Sequence, residues 1–180
     1  MKITKDNSVA LIIDLQEKLI PVMQKAKDTI KNNKIVISGL EALEIPTIFS
    51  QQYPQGLGTT VQEIVEKTSA FQSFDKTDFS CFKHDMFQSF LNANEAKNVI
   101  ITGIESHICV LQTAIDLKDA GYNPIVVVDA IDSRKKINKK MAIKRFEMEG
   151  IMLTTVESIL FELTESAKAP AFKTISKLIK

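Results

Sequence analysis

The stretch 98-NVIITGIESHICVLQ-112 decides the fold, because it joins an apolar strand directly to a helix. The apolar run 99–101 stops at Gly103, and apolar residues recur with helical spacing from Ile108 onward. A strand that runs straight into a helix is the repeating unit of parallel α/β sheets. The joint between them carries four side chains that are able to do chemistry, namely Glu105, Ser106, His107 and Cys109.

The same alternation of apolar runs and helical patterns continues on both sides of this joint. The predicted strands are 8–15, 46–50, 98–103, 125–129 and 151–155. The predicted helical segments are 17–43, 60–65, 107–120, a basic helix ending at 149, and 157–180. We expect the stretches 51–58 and 71–82 to be irregular. The pattern predicts an α/β fold with three α/β/α layers and a mostly parallel sheet, in one domain over residues 1–180.

Composition narrows the classes of function. The chain has 23 Lys and Arg against 22 Asp and Glu, a net charge of +1, so the overall balance indicates no nucleic-acid partner. No apolar run is long enough to span a membrane, and the N-terminus does not read as a signal peptide, so we expect a cytoplasmic protein. Two Cys and two His, widely spaced, indicate neither a disulfide framework nor a metal site. We expect no cofactor.

Ligands of parallel α/β sheets bind outside the carboxyl ends of the strands, so residues that follow each apolar run are the first candidates. Asp14 directly follows the first run. Its side chain either caps the next helix or serves as a general base or orienting carboxylate.

Cys109 comes six residues after the end of the middle strand. If Ser106 caps the helix, Cys109 lies in the first turn, where the helix dipole and free amide hydrogens favour a thiolate and can bind an oxyanion. The alternative is a buried cysteine that only packs.

Lys76 lies in the aromatic segment 71–82, among three Phe residues, where it is expected to be partly desolvated and paired with a carboxylate. Lys83 is a competing candidate, and spacing alone does not choose between them. A thiol, an acid and a cation that meet at one sheet edge would form the machinery of nucleophilic cysteine catalysis.

Four segments together resemble the isochorismatase-like cysteine hydrolases, a superfamily that includes nicotinamidases and N-carbamoylsarcosine amidohydrolase. These segments are 11-LIIDLQEKL-19, 76-KTDFSCF-82, 103-GIESHICVLQTAIDL-117 and 126-VVVDAIDSR-134. The stretches 50-SQQYPQGLGTTVQEI-64 and 172-FKTISKLIK-180 are similar to the isochorismatase-domain-containing branch, whose substrates are largely unassigned.

The resemblance implies a six-stranded sheet of Rossmann-like form, with Asp14 as base, Lys76 as cation and Cys109 as nucleophile. It also implies a cis peptide bond between Ile104 and Glu105, which turns the amides of Glu105 and Cys109 into an oxyanion hole. It suggests a homo-oligomer in which a neighbouring chain completes the pocket.

Departures from the nicotinamidase pattern shape the functional hypothesis. Those enzymes carry metal-binding His residues before the catalytic lysine, whereas residues 51–75 contain no His and a single acid of the Asp type, Asp75. We therefore expect no metal. Cys109 indicates hydrolysis of a small amide or carbamoyl compound through a thioester. The alternative is a non-catalytic binding or assembly module that keeps the fold.

Other polar features have simpler interpretations. Gln52 and Tyr53 follow the second strand, where they either bind a polar substrate or cap the loop. His107 is expected to be a polar residue at a helix start, because positions two apart on a helix do not face each other. The basic stretch 134–145 is expected to be a solvated helix face with Ile137, Met141 and Ile143 or Phe146 turned inward. Cys81 is expected to pack.

Overall fold

The structure, a computed structural model, describes residues 2–180. Over this part of the chain six strands form one parallel sheet in the order β3-β2-β1-β4-β5-β6. The strands are β1 (Ser8–Ile13), β2 (Thr47–Gln52), β3 (Ser73–Lys76), β4 (Asn98–Ile104), β5 (Asn123–Asp132) and β6 (Met152–Thr154). The predicted α/β class and its flanking helices are thereby confirmed.

Eight α-helices connect or flank the strands within residues 2–180. They are α1 (Ala26–Ala42), α2 (Pro54–Leu57), α3 (Gln62–Val65), α4 (Asp85–Ala93), α5 (Leu111–Asp119), α6 (Lys136–Met148), α7 (Val156–Thr164) and α8 (Phe172–Ile179). Among these residues no helix is both long and apolar enough to cross a membrane.

The central strands β1 and β4 are buried on both faces, which explains why they are almost uniformly apolar. Side chains alternate along β1: Ala10 and Ile12 face the layer of α1, α7 and α8, while Val9 and Leu11 face the layer of α4, α5 and α6. The two apolar clusters therefore form the two sides of a three-layer α/β/α domain.

The direction of strand addition reverses beside β1. The chain builds β1, β2 and β3 toward one edge and then returns to place β4 on the other side of β1. Gly103 makes this close pairing possible: its φ is 104°, and a Cβ there would lie 2.0 Å from the Ile13 carbonyl oxygen. The reversal opens a crevice at the carboxyl ends of β1 and β4, which is where ligands of such sheets bind.

Three segments differ from the sequence-based expectation. Residues 51–58, expected to be irregular, contain the end of β2 at Gln52 and the short helix α2. Residues 73–76, expected to be irregular, form the edge strand β3, which contains few β-branched residues and is recognisable only by its pairing with β2. The predicted helix over 17–43 begins only at Ala26. The segment before it makes a short 3₁₀ turn at Ile20–Val22, because Pro21 has no backbone N–H to donate to a continuing helix.

The basic helix is present as α6, but its expected orientation is wrong in part. Ala142 and Phe146 are buried, whereas Ile137 is 57% exposed and Met141 is 48% exposed. Ala142 and Phe146 pack on the sheet side, so the face that carries Ile137 and Met141 turns outward.

Candidate active site

Three residues from distant parts of the chain meet at the crevice. Lys76, at the end of β3, places its Nζ 2.8 Å from the Asp14 Oδ2 and 3.5 Å from the Cys109 Sγ. Asp14 directly follows β1 and Cys109 follows β4, so the three predicted residues do lie together. Asp14 is 1% exposed, Lys76 4% and Cys109 6%, which makes this a nearly dry cluster of charge and thiol.

The long Lys76 side chain crosses the end of β2 to reach the centre of the sheet. Gln52 lies opposite Lys76 in the strand register, and its Oε1 accepts a hydrogen bond from the Lys76 Nζ at 2.6 Å. The Gln52 Nε2 donates to the Thr77 carbonyl oxygen at 2.8 Å. Gln52, predicted to bind substrate, therefore uses both ends of its amide within the protein.

Asp14 is held at both carboxylate oxygens. Ser50, which pairs with Ile13 in the strand register, donates its Oγ–H to the Asp14 Oδ1 at 2.7 Å. The Lys76 ammonium takes the other oxygen. Asp14 has a left-handed φ of 50°, which turns its side chain away from the strand and into the crevice. It does not cap a helix, so the carboxylate interpretation agrees with this geometry.

Burial and charge act in opposite directions on the lysine. Burial alone would lower the pKa of Lys76, but the Asp14 carboxylate and the two thiols Cys81 and Cys109 outweigh it and raise that pKa above its ordinary value. Lys76 therefore stays protonated at neutral pH and is a permanent cation beside the thiol.

The thiol behaves differently from the sequence-based expectation. Burial, followed by the nearby Asp14 carboxylate, raises the pKa of Cys109, and this outweighs the effect of the Lys76 cation. This direction is opposite to the one that a helix start alone would give to the pKa of the thiol.

Cys109 lies in a π-helical turn, Ser106–Val110, that leads into α5. The expected Ser106 cap is absent, since the Ser106 Oγ donates instead to the Asp132 carbonyl oxygen at 2.8 Å. The peptide bond between Ile104 and Glu105 is cis. Within residues 2–180 the Glu105 N–H donates no hydrogen bond, which leaves a free amide beside the cysteine turn.

Glu105 joins this turn to the segment after β5. Its buried carboxylate accepts hydrogen bonds from the Arg134 backbone N–H at 3.0 Å and from the Arg134 Nε at 3.2 Å. The Arg134 side chain remains 57% exposed. A buried acid is thus neutralised locally, and the guanidinium is anchored at the carboxyl edge of the sheet.

His107 has no contact with the thiol. Its Nδ1 lies 3.0 Å from the Ser133 Oγ and its Nε2 lies 3.1 Å from the Asn138 Nδ2. Burial lowers the pKa of His107, so the ring is neutral at physiological pH. These contacts suit a ring that ties the cysteine turn to α6.

The roles of two residues at the site, Ser50 and Cys81, were not predicted from the sequence. Ser50 reads as an ordinary small residue at the end of a strand. Cys81, expected to pack, is indeed fully buried, but its thiol interacts electrostatically with Lys76 and Asp14, and its backbone N–H donates to the Thr113 Oγ1 at 2.9 Å. Burial raises the pKa of Cys81 to about 11. The Ser50 contact depends on the pairing of β1 with β2, and the Cys81 contact depends on the packing of residues 81–83 against α5.

A cavity of about 340 Å³ lies next to the lysine. Its lining is polar and comprises Tyr53, Pro54, Gln55, Asp75, Lys76, Thr77, Asp78, Ser80, Lys83 and His84. Tyr53 is 54% exposed at its rim. Lys83 also borders the cavity, but it pairs with Asp78 at the surface rather than with Asp14, so the geometry selects Lys76 over Lys83.

The residues present do not fit the metal site of the nicotinamidases. No group of three His, Cys, Asp or Glu side chains in residues 2–180 is arranged to hold a metal ion. Asp75, the sole Asp of residues 51–75, accepts a hydrogen bond from the Gln51 Nε2 at 3.0 Å. An amide donor in that place serves a carboxylate, not a cation.

Comparison with known proteins gives related chains and folds. An isochorismatase domain-containing protein 1 from Danio rerio is 36% identical over 173 residues, which cover 96% of this chain and 61% of that protein. The structure titled MAR1 ribonuclease from Caenorhabditis elegans superposes with a TM-score of 0.95 at 38% identity, covering 99% of this chain and 92% of that one.

A more distant structure has the same fold. The YcaC gene product of Escherichia coli, titled an octameric hydrolase of unknown specificity, superposes with a TM-score of 0.93 at 20% identity. The two chains are covered to 99% and 90%. The sequence profile of the isochorismatase domain matches residues 8–158, which contain the whole crevice. This chain therefore belongs to the isochorismatase family and has its hydrolase fold.

Proposed function

We propose that the protein is a cysteine hydrolase that cleaves the C–N bond of a small amide or carbamoyl compound. The observation that carries the proposal is the buried triangle of Asp14, Lys76 and Cys109, in which one ammonium group lies within hydrogen-bonding reach of both the acid and the thiol. An acid, a cation and a nucleophile held in this way are the groups that covalent acyl transfer requires.

The first half-reaction follows from the positions of these groups. Asp14 takes the Cys109 proton while the sulfur attacks the substrate carbonyl carbon, and the carbonyl electron pair moves onto oxygen. The amides of Glu105 and Cys109 are the proposed donors to that oxyanion. When the tetrahedral intermediate collapses, the C–N bond breaks and the leaving nitrogen takes the proton back from Asp14.

The second half-reaction returns the enzyme to its starting state. Water attacks the thioester carbonyl carbon and gives one proton to Asp14. The C–S bond then breaks, the carboxylic acid leaves, and the Cys109 sulfur recovers its proton. Lys76 remains protonated throughout and stabilises the thiolate whenever it forms.

The neighbouring residues divide between positioning and recognition. Gln52 holds the Lys76 ammonium and Ser50 holds the Asp14 carboxylate, so both act through the catalytic groups. Tyr53, exposed at the rim of the cavity beside Lys76, is proposed to contact the substrate. The earlier prediction that Gln52 itself binds substrate stays untested.

The proposal is tested by an ammonia-release screen over small primary amides and carbamoyl compounds. We expect at least one compound to be turned over by the wild type and by Cys81→Ala, and not by Cys109→Ala. Mass spectrometry of the quenched reaction should find the acyl group on the Cys109 peptide. Release of ammonia that persists in Cys109→Ala would contradict the cysteine mechanism. The alternative, a non-catalytic binding or assembly module, requires that no compound is turned over.

RNA hydrolysis is a second candidate, because the C. elegans relative of 38% identity is titled a ribonuclease. Residues 134–145 also carry seven basic side chains, which would suit a phosphodiester backbone. Incubation of a labelled single-stranded RNA with the wild type and Cys109→Ala separates the two activities. Cleavage by both proteins would assign RNA hydrolysis to residues outside the triangle.

We propose in addition that the chain forms a homo-oligomer and acts in the cytoplasm. The E. coli structure of the same fold is titled octameric. Ile137 and Met141 lie one turn apart on the outer face of α6 and expose apolar surface that self-association would bury. Light scattering of the wild type and Met141→Lys tests this, since the variant should have the lower mass.

A further inference from the structure

A second cavity lies on the outer side of the sheet edge, between α6 and the segment before α1. Its volume is about 550 Å³, within the range of small-molecule sites. The lining residues are Gln24, Lys25, Asp132, Lys136, Lys139, Lys140, Ile143, Lys144 and Glu147. It contains none of the residues of the proposed catalytic triangle. Ile137 and Met141 are not among its lining residues. We refer to it as the lysine groove.

The lysine groove concentrates positive charge without compensating ion pairs. Five of its nine lining residues are lysines, against two acids. In the part of the chain that the structure describes, none of these five ammonium groups lies within 4.0 Å of a carboxylate oxygen. A bound anion would supply the missing counter-charge.

Lys139 is the most constrained of these cations. Its side chain is partly buried, and its Nζ donates to the Ile131 carbonyl oxygen at 2.6 Å. Burial lowers the pKa of Lys139, and this outweighs the Asp132 carboxylate, which raises it, while the Lys25 ammonium acts in the same direction as burial. The Lys139 ammonium is thus fixed in the partly desolvated wall of the groove, where a bound anion would stabilise it further.

The floor of the groove offers an acceptor rather than a donor. Asp132 is 1% exposed, and its Oδ2 accepts hydrogen bonds from the Lys25 N–H at 2.7 Å and from the Thr29 Oγ1 at 3.3 Å. Its Oδ1 is buried and has no hydrogen-bond partner within the described residues. A buried carboxylate oxygen without a donor is costly, so a ligand hydroxyl that reached it would be favoured. Ile143 adds an apolar wall.

We propose that the lysine groove binds the phosphate groups of a phosphorylated ligand that also carries a hydroxyl donor. Lys25, Lys136, Lys139 and Lys140 would hold the phosphates, and Asp132 would accept the hydroxyl. Free phosphorylated small molecules and the phosphodiester backbone of a nucleic acid share this chemistry. The groove is independent of the proposed hydrolysis, because no residue is common to both sites.

Calorimetric titration with inorganic tripolyphosphate at about 100 mM salt tests the phosphate part of the site, and a ten-nucleotide single-stranded RNA is titrated in parallel. The matched variants are Lys136→Gln with Lys140→Gln, one turn apart on α6, and Lys173→Gln with Lys177→Gln, one turn apart on α8. All four lysines are exposed, and each double variant removes two charges. We expect the α6 pair to weaken tripolyphosphate binding at least tenfold and the α8 pair to change it less than twofold.

Equal weakening by the two pairs would overturn the proposal, since it would show only non-specific attraction to a less positive protein. Absence of tripolyphosphate binding to the wild type would also overturn it. Tighter, groove-dependent binding of the RNA would identify a nucleic acid as the source of the phosphates, and tighter binding of tripolyphosphate would identify a small molecule. Asp132→Asn removes a carboxylate from the floor of the groove, so tripolyphosphate should bind this variant at least as tightly as the wild type, and weaker binding would contradict the placement of the phosphates on the lysines.

A second measurement covers the buried lysine, where substitution risks misfolding. Brief acetylation of the wild-type protein, read by peptide mass, should modify Lys139 more slowly when tripolyphosphate is present. Lys173 on α8 should be modified at an unchanged rate. Protection of both lysines to the same degree would count against a local site.

Discussion

Cys81 and Cys109 share the same charged neighbours but differ in their contact with the cation and in their exposure. Both thiols are buried, both interact with Lys76 and Asp14, and burial raises the pKa of both. Cys109 lies 3.5 Å from the Lys76 ammonium and remains 6% exposed. Cys81 is fully enclosed, and its backbone N–H is tied to the Thr113 Oγ1 at 2.9 Å.

The difference shows that a charged neighbourhood alone does not make a reactive thiol. Cys109 combines contact with the cation, the nearby charge of the acid, and a helical turn next to the free Glu105 amide. Cys81 shares the electric field but has no room for a substrate carbonyl. Nucleophilic chemistry depends on that access as much as on the charge of the site.

The largest expected effect comes from removing the Asp14 carboxylate next to the Cys109 thiol. Asp14→Asn removes the proposed general base, so turnover of any amide found in the screen should fall about 10³-fold. The same change removes the negative charge that raises the pKa of Cys109 and leaves the Lys76 cation beside the sulfur. Alkylation of Cys109 by iodoacetamide at pH 7 should therefore become faster, by roughly tenfold.

Measuring both turnover and alkylation of Asp14→Asn distinguishes loss of the carboxylate from misfolding of the variant. A misfolded variant would lose turnover and would also expose Cys81 to the reagent. Loss of turnover together with slower Cys109 alkylation would show that Asp14 activates the thiol in the resting enzyme. That result would contradict the inference that the Asp14 charge raises the pKa of Cys109.

The next effect compares the two cysteines directly in the wild-type protein. Iodoacetamide should label Cys109 about a hundredfold faster than Cys81, because Cys81 reacts only when the structure opens locally. Peptide mass analysis over a time course measures both rates in one sample. Equal rates would mean that the enclosure of Cys81 is transient and would remove the contrast between the two sites.

The fold was largely readable from the sequence, because parallel strands buried on both faces leave uninterrupted apolar runs. The stretch 98–112 correctly located β4 and the helix after it. The edge strand β3 was missed because its four residues, Ser73 to Lys76, show neither an apolar run nor alternation. Its pairing with β2 is a long-range property that local patterns do not contain.

From the sequence, the residues of the candidate site could be predicted only one by one, as polar residues that follow separate strands. Asp14 and Cys109 stood out because polar groups directly followed apolar runs. The direction of the pKa of Cys109 was not predictable, since it depends on how deeply the assembled fold buries the thiol and on an acid 95 positions away in the sequence. Ser50 and Cys81 likewise acquire their roles only through contacts made after folding.

A smaller effect concerns Ser50, which donates a hydrogen bond to Asp14, the acid whose charge acts on both thiols. Ser50→Ala leaves the Asp14 Oδ1 without its donor, so the carboxylate should lose its fixed orientation and turnover should fall about tenfold. The pH–rate profile should shift as well, because a hydrogen bond to the charged acid is lost. Ser50→Thr, which keeps the hydroxyl, should restore most of the activity and the profile.

Thr102→Val is the matched control for Ser50→Ala. Thr102 pairs with Ile12 on the other side of β1, is fully buried, and has an Oγ1 without a hydrogen-bond partner among the described residues. Removing that hydroxyl should leave turnover and its pH profile unchanged. If both variants lost activity equally, Ser50 would be a packing residue and not a positioning one.

The smallest effect is on stability and concerns Cys81 alone. Burial raises the pKa of Cys81 to about 11, so near pH 10 the folded thiol keeps a proton that the unfolded chain has released. The folded state then binds more protons than the unfolded state, and the contribution of Cys81 to stability falls as pH rises from about 8.5 to 11. With a pKa of about 11, the contribution of Cys81 to the free energy of unfolding falls by about 1 to 2 kcal/mol between pH 7 and pH 10. Over that pH range Cys81→Ala should therefore lose about 1 to 2 kcal/mol less stability than the wild type. Urea unfolding at the two pH values measures the difference, and an identical pH dependence in both proteins would mean that the Cys81 thiol ionises as freely in the folded protein as in water.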